Sequence, residues 1–91
     1  MSYDLVFTDH YEKMERRFLR MHPDLMEHYH KTLPLLEQDP FHLSLRLYAL
    51  QGWLTGLHAV SITLQYDIAL ELELRECEII PVGVGRHGAV D

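Results

Sequence analysis

The chain has 91 residues. Folding a chain this short buries only ~60–65% of its unfolded surface. We therefore expect one domain spanning residues 1–91 with a single thin core. Hydrophobic residues make up 47% and charged residues 24% of the sequence, a balance that excludes a disordered chain. With 14 acidic and 8 basic residues the formal charge is −6, so long-range electrostatics disfavour nonspecific binding to nucleic acid, although a local basic stripe still acts at short range.

The cysteine and histidine content indicates in which cellular compartment the protein works and whether it binds a metal or cofactor. The single cysteine, Cys77, cannot form an internal disulfide, which predicts a reducing cytoplasm. No stretch approaches the ~20 apolar residues of a membrane span, and no export signal is visible. His28 and His30 are two residues apart on a predicted helix and point to different faces, so we expect no metal and no cofactor. Cys77 has no base partner, and no chemistry is assigned to it.

The first half of the chain predicts a strand followed by two helices. Residues 3 to 7 are rich in strand formers, and Thr8 with Asp9 caps the helix that follows. A second helix restarts at Pro23 and runs to about Gln38, while Pro34 favours a kink or an early end. The residues expected to be buried are Tyr11, Met14, Phe18 and Met21 in the first helix and Leu25, Tyr29, Leu33 and Leu36 in the second.

The first helix carries a basic stripe on the face opposite its apolar residues. The stripe consists of Lys13, Arg16, Arg17 and Arg20. An ordinary solvated face is the favoured interpretation. The alternative is a docking surface for an acidic partner or for RNA phosphate.

The second half predicts three short antiparallel strands, at residues 57 to 65, 66 to 74 and 79 to 84. Pro81 in the last strand indicates a sheet edge or a bulge. Period-two alternation assigns one apolar face to the helices, formed by Val60, Ile62, Leu64, Ile68, Leu70 and Leu72. The exposed face would then hold Ser61, Thr63, Gln65, Asp67, Glu71 and Glu73. The expected fold is an α+β two-layer domain with an N-terminal strand, an antiparallel helical hairpin and a three-stranded antiparallel meander.

Four motifs occur in a fixed order along the second half of the chain. They are Asp39-Pro40-Phe41-His42, the glycine turn from Gln51-Gly52 to Gly56-Leu57, Gln65-Tyr66-Asp67-Ile68, and the tail Gly85-Arg86-His87-Gly88-Ala89-Val90-Asp91. The set resembles the RelE/ParE superfamily of toxins from toxin-antitoxin modules, in its plasmid-stabilisation and YafQ-like branch. That branch commonly has an Asn-Pro-Phe-His loop, a Leu-Lys-Gly-x-x-x-Gly-Leu turn, a Tyr-Arg-Ile strand and a closing Gly-x-His-Asp-x-Val-Tyr. No single motif is specific, but the ordered set is, and the resemblance covers nearly the whole chain.

The resemblance implies a RelE-like fold and the toxin of a type II toxin-antitoxin module. Such a toxin represses translation as a metal-independent endoribonuclease, an mRNA interferase that cuts messenger RNA on the ribosome. Its partners would be a cognate antitoxin, the ribosome and messenger RNA. The resemblance also allows a homodimer. At the matching positions His87 would be the general acid or base and His42 would support it, although the His42 loop equally serves packing. Arg86, next to His87 in sequence, would hold the phosphate, although a solvent-exposed turn residue is the favoured interpretation.

The chain departs from the family pattern where cations are usual. The positions around the glycine turn and in the Tyr-Arg-Ile strand read Gln51, Trp53, Thr55 and Asp67. If Asp67 shares the exposed face with Glu71 and Glu73, this acid stripe opposes the approach of phosphate. The alternative function is therefore a non-catalytic toxin-fold protein that binds a protein target, as ParE does, or only its antitoxin. For Trp53 a cap on the core is favoured over an exposed anchor for a partner.

Overall fold

A computed structural model describes residues 2–88. The N-terminal strand and the two helices are β1 (Asp4–Leu5), α1 (Asp9–Met21) and α2 (Met26–Gln38). The remaining strands are β2 (Tyr48–Ala49), β3 (His58–Ser61), β4 (Tyr66–Glu73) and β5 (Glu78–Arg86). No helix within the described residues combines the length and the hydropathy needed to cross a membrane.

The strands form one mixed sheet in the order β1-β5-β4-β3-β2. The meander β3-β4-β5 is antiparallel, as the alternating sequence predicted. β1 pairs in parallel with the start of β5, since the helical hairpin carries the chain away from the sheet before it returns. β2 adds a short antiparallel strand at the other edge, in a segment that was predicted to be an extended connection. The predicted α+β two-layer architecture is confirmed.

The helices begin and end where the local signals place them. Thr8 Oγ1 accepts a hydrogen bond from the backbone N–H of Tyr11 at 3.1 Å and caps α1. A 3₁₀ turn beginning with Pro23 leads into α2. Pro34 does not stop α2, which continues to Gln38. Met21 was predicted to be buried but is 63% exposed, because α1 ends at this residue.

The main core lies between the helices and one face of the sheet. Leu70 is fully buried there, whereas Glu71 and Glu73 are half-exposed, so the predicted strand register is confirmed. Leu64 is a correction to the predicted apolar face, because β3 ends at Ser61 and Leu64 lies in the following turn, 69% exposed. The buried members of this core are Tyr11, Phe18, Leu25, Tyr29, Leu36, Leu45, Val60, Ile62, Ile68, Leu70 and Ile79.

The opposite face of the sheet was predicted to be polar and open, and this is wrong for its central part. A second buried cluster forms around Leu50, Ala59 and Ala69, because the segment between β2 and β3 packs back onto the sheet. The partly buried residues packed against it are Tyr48, Leu54 and Leu57. Any polar side chain at the centre of this face is therefore buried.

Pro81 lies at an irregularity in the β4-β5 ladder. Ala69 pairs with Gly83 and Leu70 pairs with Pro81, so Val82 is the additional residue of a bulge. The bulge accommodates the missing N–H of Pro81 inside a long strand, which confirms the predicted edge or bulge.

Candidate functional site

Three strand ends bring Tyr48, Asp67 and His87 together on the second face of the sheet. Tyr48 lies on β2 and Asp67 lies near the start of β4, opposite Gly85 of β5. His87 follows β5 directly, and its backbone N–H donates to the carbonyl of Gln65 at 2.7 Å. That hydrogen bond extends the ladder by one step and fixes where the His87 side chain begins. We call these three residues the Tyr48–Asp67–His87 cluster.

One carboxylate oxygen joins the other two side chains of the cluster. The Tyr48 hydroxyl donates to Asp67 Oδ2 at 2.8 Å. His87 Nδ1 lies 2.6 Å from the same oxygen and 3.4 Å from the Tyr48 hydroxyl oxygen. The two rings meet edge to face with their centroids 5.6 Å apart. Both rings are therefore held around a single acceptor.

The cluster combines a buried carboxylate with an accessible imidazole. Asp67 is fully buried, and it is the only charged side chain in the buried set of residues 2–88. Its second oxygen, Oδ1, has no hydrogen-bond partner within the same range. The His87 side chain remains 54% exposed. Burying a carboxylate is costly unless charge or hydrogen bonds compensate, so the contacts of Asp67 with Tyr48 and His87 are what make its position tolerable.

The predicted acid stripe does not exist as an exposed surface around His87. Asp67 is buried, and Glu71 lies four residues further along β4, roughly 13 Å in an extended strand. That separation exceeds the Debye length of ~8 Å at physiological salt. Glu73 is paired directly with Glu78, at the other end of β4 and β5 from His87. A hydrogen bond with Glu73, together with desolvation and repulsion, raises the pKa of Glu71.

His42 belongs to its own loop rather than to the cluster. Its Nδ1 lies 3.1 Å from the backbone nitrogen of Ser44, which donates to it, and 2.8 Å from Ser44 Oγ. The ring thereby caps the short 3₁₀ turn Leu43–Leu45 and is exposed. The structure brings His87 together with Asp67 and Tyr48, whereas these hydrogen bonds of His42 stay within its loop.

The predicted cations are exposed. Arg86 is the last residue of β5 and lies immediately before His87. The basic stripe on α1, formed by Lys13, Arg16, Arg17 and Arg20, is solvent-exposed, and none of its members forms an ion pair with a described residue. Arg17 lines a cavity of about 230 Å³ together with Val84 of β5. Arg17 therefore lies beside the half of β5 that leads to Arg86 and His87.

Trp53 is a second correction. It was favoured as a cap on the core but is 91% exposed. The reason is local, since Gly52 has a φ of +71° and begins a 3₁₀ turn that directs Leu54 rather than Trp53 toward the second cluster. Trp53 instead lines an apolar groove of about 350 Å³. The other lining residues are Met14, Leu54, Leu57, Ala69, Val82, Gly83, Val84 and Gly85.

Two members of the cluster were missed from the sequence as site residues. Tyr48 carries no local signal, because its partners Asp67 and His87 lie 19 and 39 residues away. Asp67 stands out in the sequence as an acidic residue where the family pattern has a cation, which argues against a place in the site. Within residues 2–88 no three His, Cys, Asp or Glu side chains lie close enough to hold a metal ion. The end of the tail motif, residues 89 to 91, lies outside the described residues.

Comparison with known proteins gives structural relatives only. No family model and no curated protein matches the chain. The toxin-antitoxin complex DinJ-YafQ of E. coli matches with a TM-score of 0.75 at 17% identity, over 99% of this chain and 98% of that one. The archaeal RelE-RelB complex of Pyrococcus horikoshii matches with a TM-score of 0.72 at 14% identity, over 97% and 98% of the two chains.

A third relative is the YoeB/ParE toxin of Agrobacterium tumefaciens, with a TM-score of 0.69 at 16% identity, over 92% of this chain and 98% of that one. At these identities the likeness establishes the fold and leaves the chemistry to the residues of the site. The chain therefore has the fold of the RelE/ParE toxin superfamily, as its ordered motifs predicted.

Proposed function

We propose that this protein is the toxin of a type II toxin-antitoxin module and that it represses translation by cutting ribosome-bound messenger RNA, with His87 as general acid or base. The observation that carries the proposal is the half-exposed imidazole of His87, held 2.6 Å from a buried carboxylate. A fixed imidazole beside a carboxylate is a device for proton transfer near neutral pH. The RelE/ParE fold supports the toxin role.

The proposed cleavage needs no metal. The ribose 2′-oxygen attacks the adjacent phosphorus while a base removes the 2′-hydroxyl proton. The bond from phosphorus to the 5′-oxygen breaks, and that oxygen receives a proton from an acid. His87 performs one of these two proton transfers, and a cation offsets the charge that develops on the phosphate.

Arg86 is the cation nearest to His87 in sequence, and it is exposed. Its guanidinium suits a phosphate. Arg17 of the basic stripe lies beside Val84 of β5, while Glu73 and Glu78 lie at the far end of the same strands. In a chain whose formal charge is −6, these two carboxylates therefore lie away from His87.

Purified protein incubated with ribosomes stalled on a defined messenger RNA, in the presence of EDTA, tests the proposal. We expect cuts at discrete positions of the message that map to the ribosome, with no cleavage of the same RNA alone. Induced expression in a bacterial host should stop translation before replication. Growth arrest with intact messenger RNA and blocked replication would instead support a protein target, as for ParE.

We further propose an antitoxin as the protein partner, docked over Trp53. A tryptophan that is 91% exposed above an apolar groove of about 350 Å³ favours protein binding. The solved relatives include the DinJ-YafQ toxin-antitoxin complex and the archaeal RelE-RelB complex. Co-expression with the product of an adjacent reading frame should relieve growth arrest and yield a stable complex. Light scattering of the protein alone tests the homodimer.

A further inference from the structure

Asp67 occupies a position that packing alone does not explain. On this face Asp67 is paired with Ser61 of β3, and the next residue along β4 is Ala69, which is paired with Ala59. Both alanines are buried and small. An apolar residue of similar size at position 67 would join the second cluster without desolvating a charge, and replacing buried ionic groups by apolar ones is often neutral or stabilising. A buried carboxylate that is retained at such a place indicates a role in the site.

The geometry of the Tyr48–Asp67–His87 cluster assigns that role. An ionised carboxylate can only accept hydrogen bonds. At 2.6 Å from Asp67 Oδ2, the Nδ1 atom of His87 must therefore carry the proton that the two atoms share. A neutral ring protonated at Nδ1 has its lone pair on Nε2, so the tautomer and the orientation of the ring are set by the same contact.

Tyr48 holds the Asp67 carboxylate, which in turn holds the His87 ring. Its hydroxyl donates to the same Asp67 oxygen at 2.8 Å, and its ring packs edge to face against His87. Tyr48 lies on β2 and Asp67 on β4, two strands apart, and fully buried Ala59 of β3 pairs directly with Tyr48 between them. The small side chain of Ala59 leaves room for the phenol to reach across β3.

We infer that Asp67 is a positioning residue, held by Tyr48, which selects the Nδ1-protonated tautomer of His87 and thereby makes Nε2 the atom that exchanges a proton with RNA. The catalytic part of this inference rests on the proposed function, whereas the tautomer does not. When the ring becomes an imidazolium, the Asp67 charge stabilises it at the same contact. The cluster thus serves both protonation states of a general acid or base.

Nitrogen-15 NMR of the histidine rings tests the inference without any activity assay. In the wild type, neutral His87 should show a protonated Nδ1 and an unprotonated Nε2. In Asp67→Ala the acceptor is gone, and the Nδ1-protonated fraction should fall. Glu71→Ala removes a carboxylate from the same strand that has no contact with His87, so it serves as the matched control and should leave the tautomer unchanged. A wild-type His87 protonated at Nε2 would overturn the inference.

Asp67→Asn covers the case in which the alanine variant does not fold. The amide keeps the shape and one acceptor oxygen but removes the charge, so His87 should titrate at a lower pH than in the wild type. An unchanged titration midpoint in folded Asp67→Asn would contradict the stabilising role of the carboxylate.

Kinetics then connect the tautomer to the reaction. If the protein cuts RNA, Asp67→Ala should lower kcat while KM changes little, and the loss should not exceed the ~10²–10⁴-fold expected for removing one general acid or base. The double variant with His87→Ala should be no slower than His87→Ala alone, because both changes remove the same device. Additive losses would overturn the inference. An inactive protein with the expected tautomer would refute only the proposed function.

Discussion

At the scale of single residues, burial reverses the meaning of Asp67. In sequence it stands where the family pattern has a cation, and it was expected to repel phosphate from an exposed face. In the structure it is fully buried and binds Tyr48 and His87. Asp67→Arg would therefore do more than remove a negative charge, because it would also remove the acceptor of His87 and place a guanidinium in a buried pocket.

The first prediction separates two histidines that both match the family pattern. His87→Gln should lower the rate of RNA cleavage by ~10²–10⁴-fold, because the amide cannot transfer a proton. His42→Gln should retain most of the activity, since the His42 ring contacts Ser44 within its own loop. Single-turnover cleavage of ribosome-bound RNA measures both. Equal losses would return His42 to the site, and full activity of His87→Gln would remove His87 from the mechanism.

A second residue-scale prediction concerns Trp53. Trp53→Ala should weaken antitoxin binding by more than ~30-fold, which corresponds to a hot-spot loss of about 2 kcal/mol. Because the side chain is 91% exposed, the free energy of unfolding should change by less than about 0.5 kcal/mol. Calorimetric titration and urea unfolding provide the two measurements. Leu43→Ala is a matched control, since Leu43 is 92% exposed and lies outside the groove. Equal effects of the two substitutions would show that the groove is not the docking surface.

At the scale of elements, a buried hydrogen-bond chain ties α1 to α2. The hydroxyls of Tyr11 and Tyr29 lie 2.7 Å apart, and Tyr29 donates to Glu15 Oε2 at 2.7 Å. Both tyrosines are fully buried. The helices are thus joined by a polar contact inside an otherwise apolar core, where an unsatisfied hydroxyl destabilises the fold by more than a satisfied hydrogen bond stabilises it.

The hydrogen-bond chain from Tyr11 through Tyr29 to Glu15 predicts which conservative variant loses more free energy of unfolding. Tyr29→Phe removes both hydrogen bonds and leaves the buried Tyr11 hydroxyl without its partner, at a cost of about 1–3 kcal/mol. Tyr11→Phe leaves Tyr29 bonded to Glu15 and should cost only about 0.5–1.5 kcal/mol. Urea unfolding curves report the difference. A Tyr11→Phe variant less stable than Tyr29→Phe would contradict the proposed chain.

The same tyrosines predict alkaline unfolding. Burial, the largest cause, raises the pKa of both Tyr11 and Tyr29, so each phenol stays protonated in the folded protein at a pH where the unfolded chain ionises. The two phenols therefore make their full contribution to the free energy of unfolding below about pH 10. That contribution is lost as the pH rises further, by up to ~1.4 kcal/mol per pH unit for each tyrosine. Thermal melts between pH 8 and pH 11 should show the fall, and the variant with both tyrosines replaced by Phe should show a flatter dependence.

At the scale of the whole molecule, the fold places three carboxylates at the end of the sheet that is far from His87. Glu73 and Glu78 are paired at one end of the sheet, and Asp4 pairs with Glu78 on the neighbouring strand. Arg86 lies at the other end of β5, eight residues from Glu78, or roughly 26 Å in an extended strand. In a chain whose formal charge is −6, screening therefore limits the reach of these distant carboxylates toward His87.

The final prediction uses this separation. Removing Arg17 and Arg20 together by alanine substitution should weaken RNA binding most at low salt. It should also reduce the slope of log affinity against log salt by about 0.7 for each phosphate that the protein no longer neutralises. Lys31→Ala is the control, since Lys31 is an exposed cation on α2 that pairs with Glu27 at 3.2 Å. Filter binding across a salt series measures all three proteins. Identical slopes would show that the basic stripe is an ordinary solvated face.

What the sequence determined by itself is the part of the structure that depends on local pattern. Thr8 caps α1, Pro23 restarts the helical segment, and the alternation along β4 buries Leu70 while Glu71 stays at the surface. These outcomes follow from periodicity and capping within a few residues. The order of the four motifs likewise predicted the superfamily fold, with His87 as the residue to examine.

Only the tertiary structure decided what surrounds His87. The packing of the segment between β2 and β3 onto the sheet converts the central part of an apparently solvated face into a second core, and with it turns Asp67 from a surface charge into a buried acceptor. Tyr48 reaches that acceptor from another strand, and Trp53 is left outside the core by a glycine turn. Alternation along one strand cannot show which face a distant loop will cover, because that depends on contacts between residues far apart in the chain.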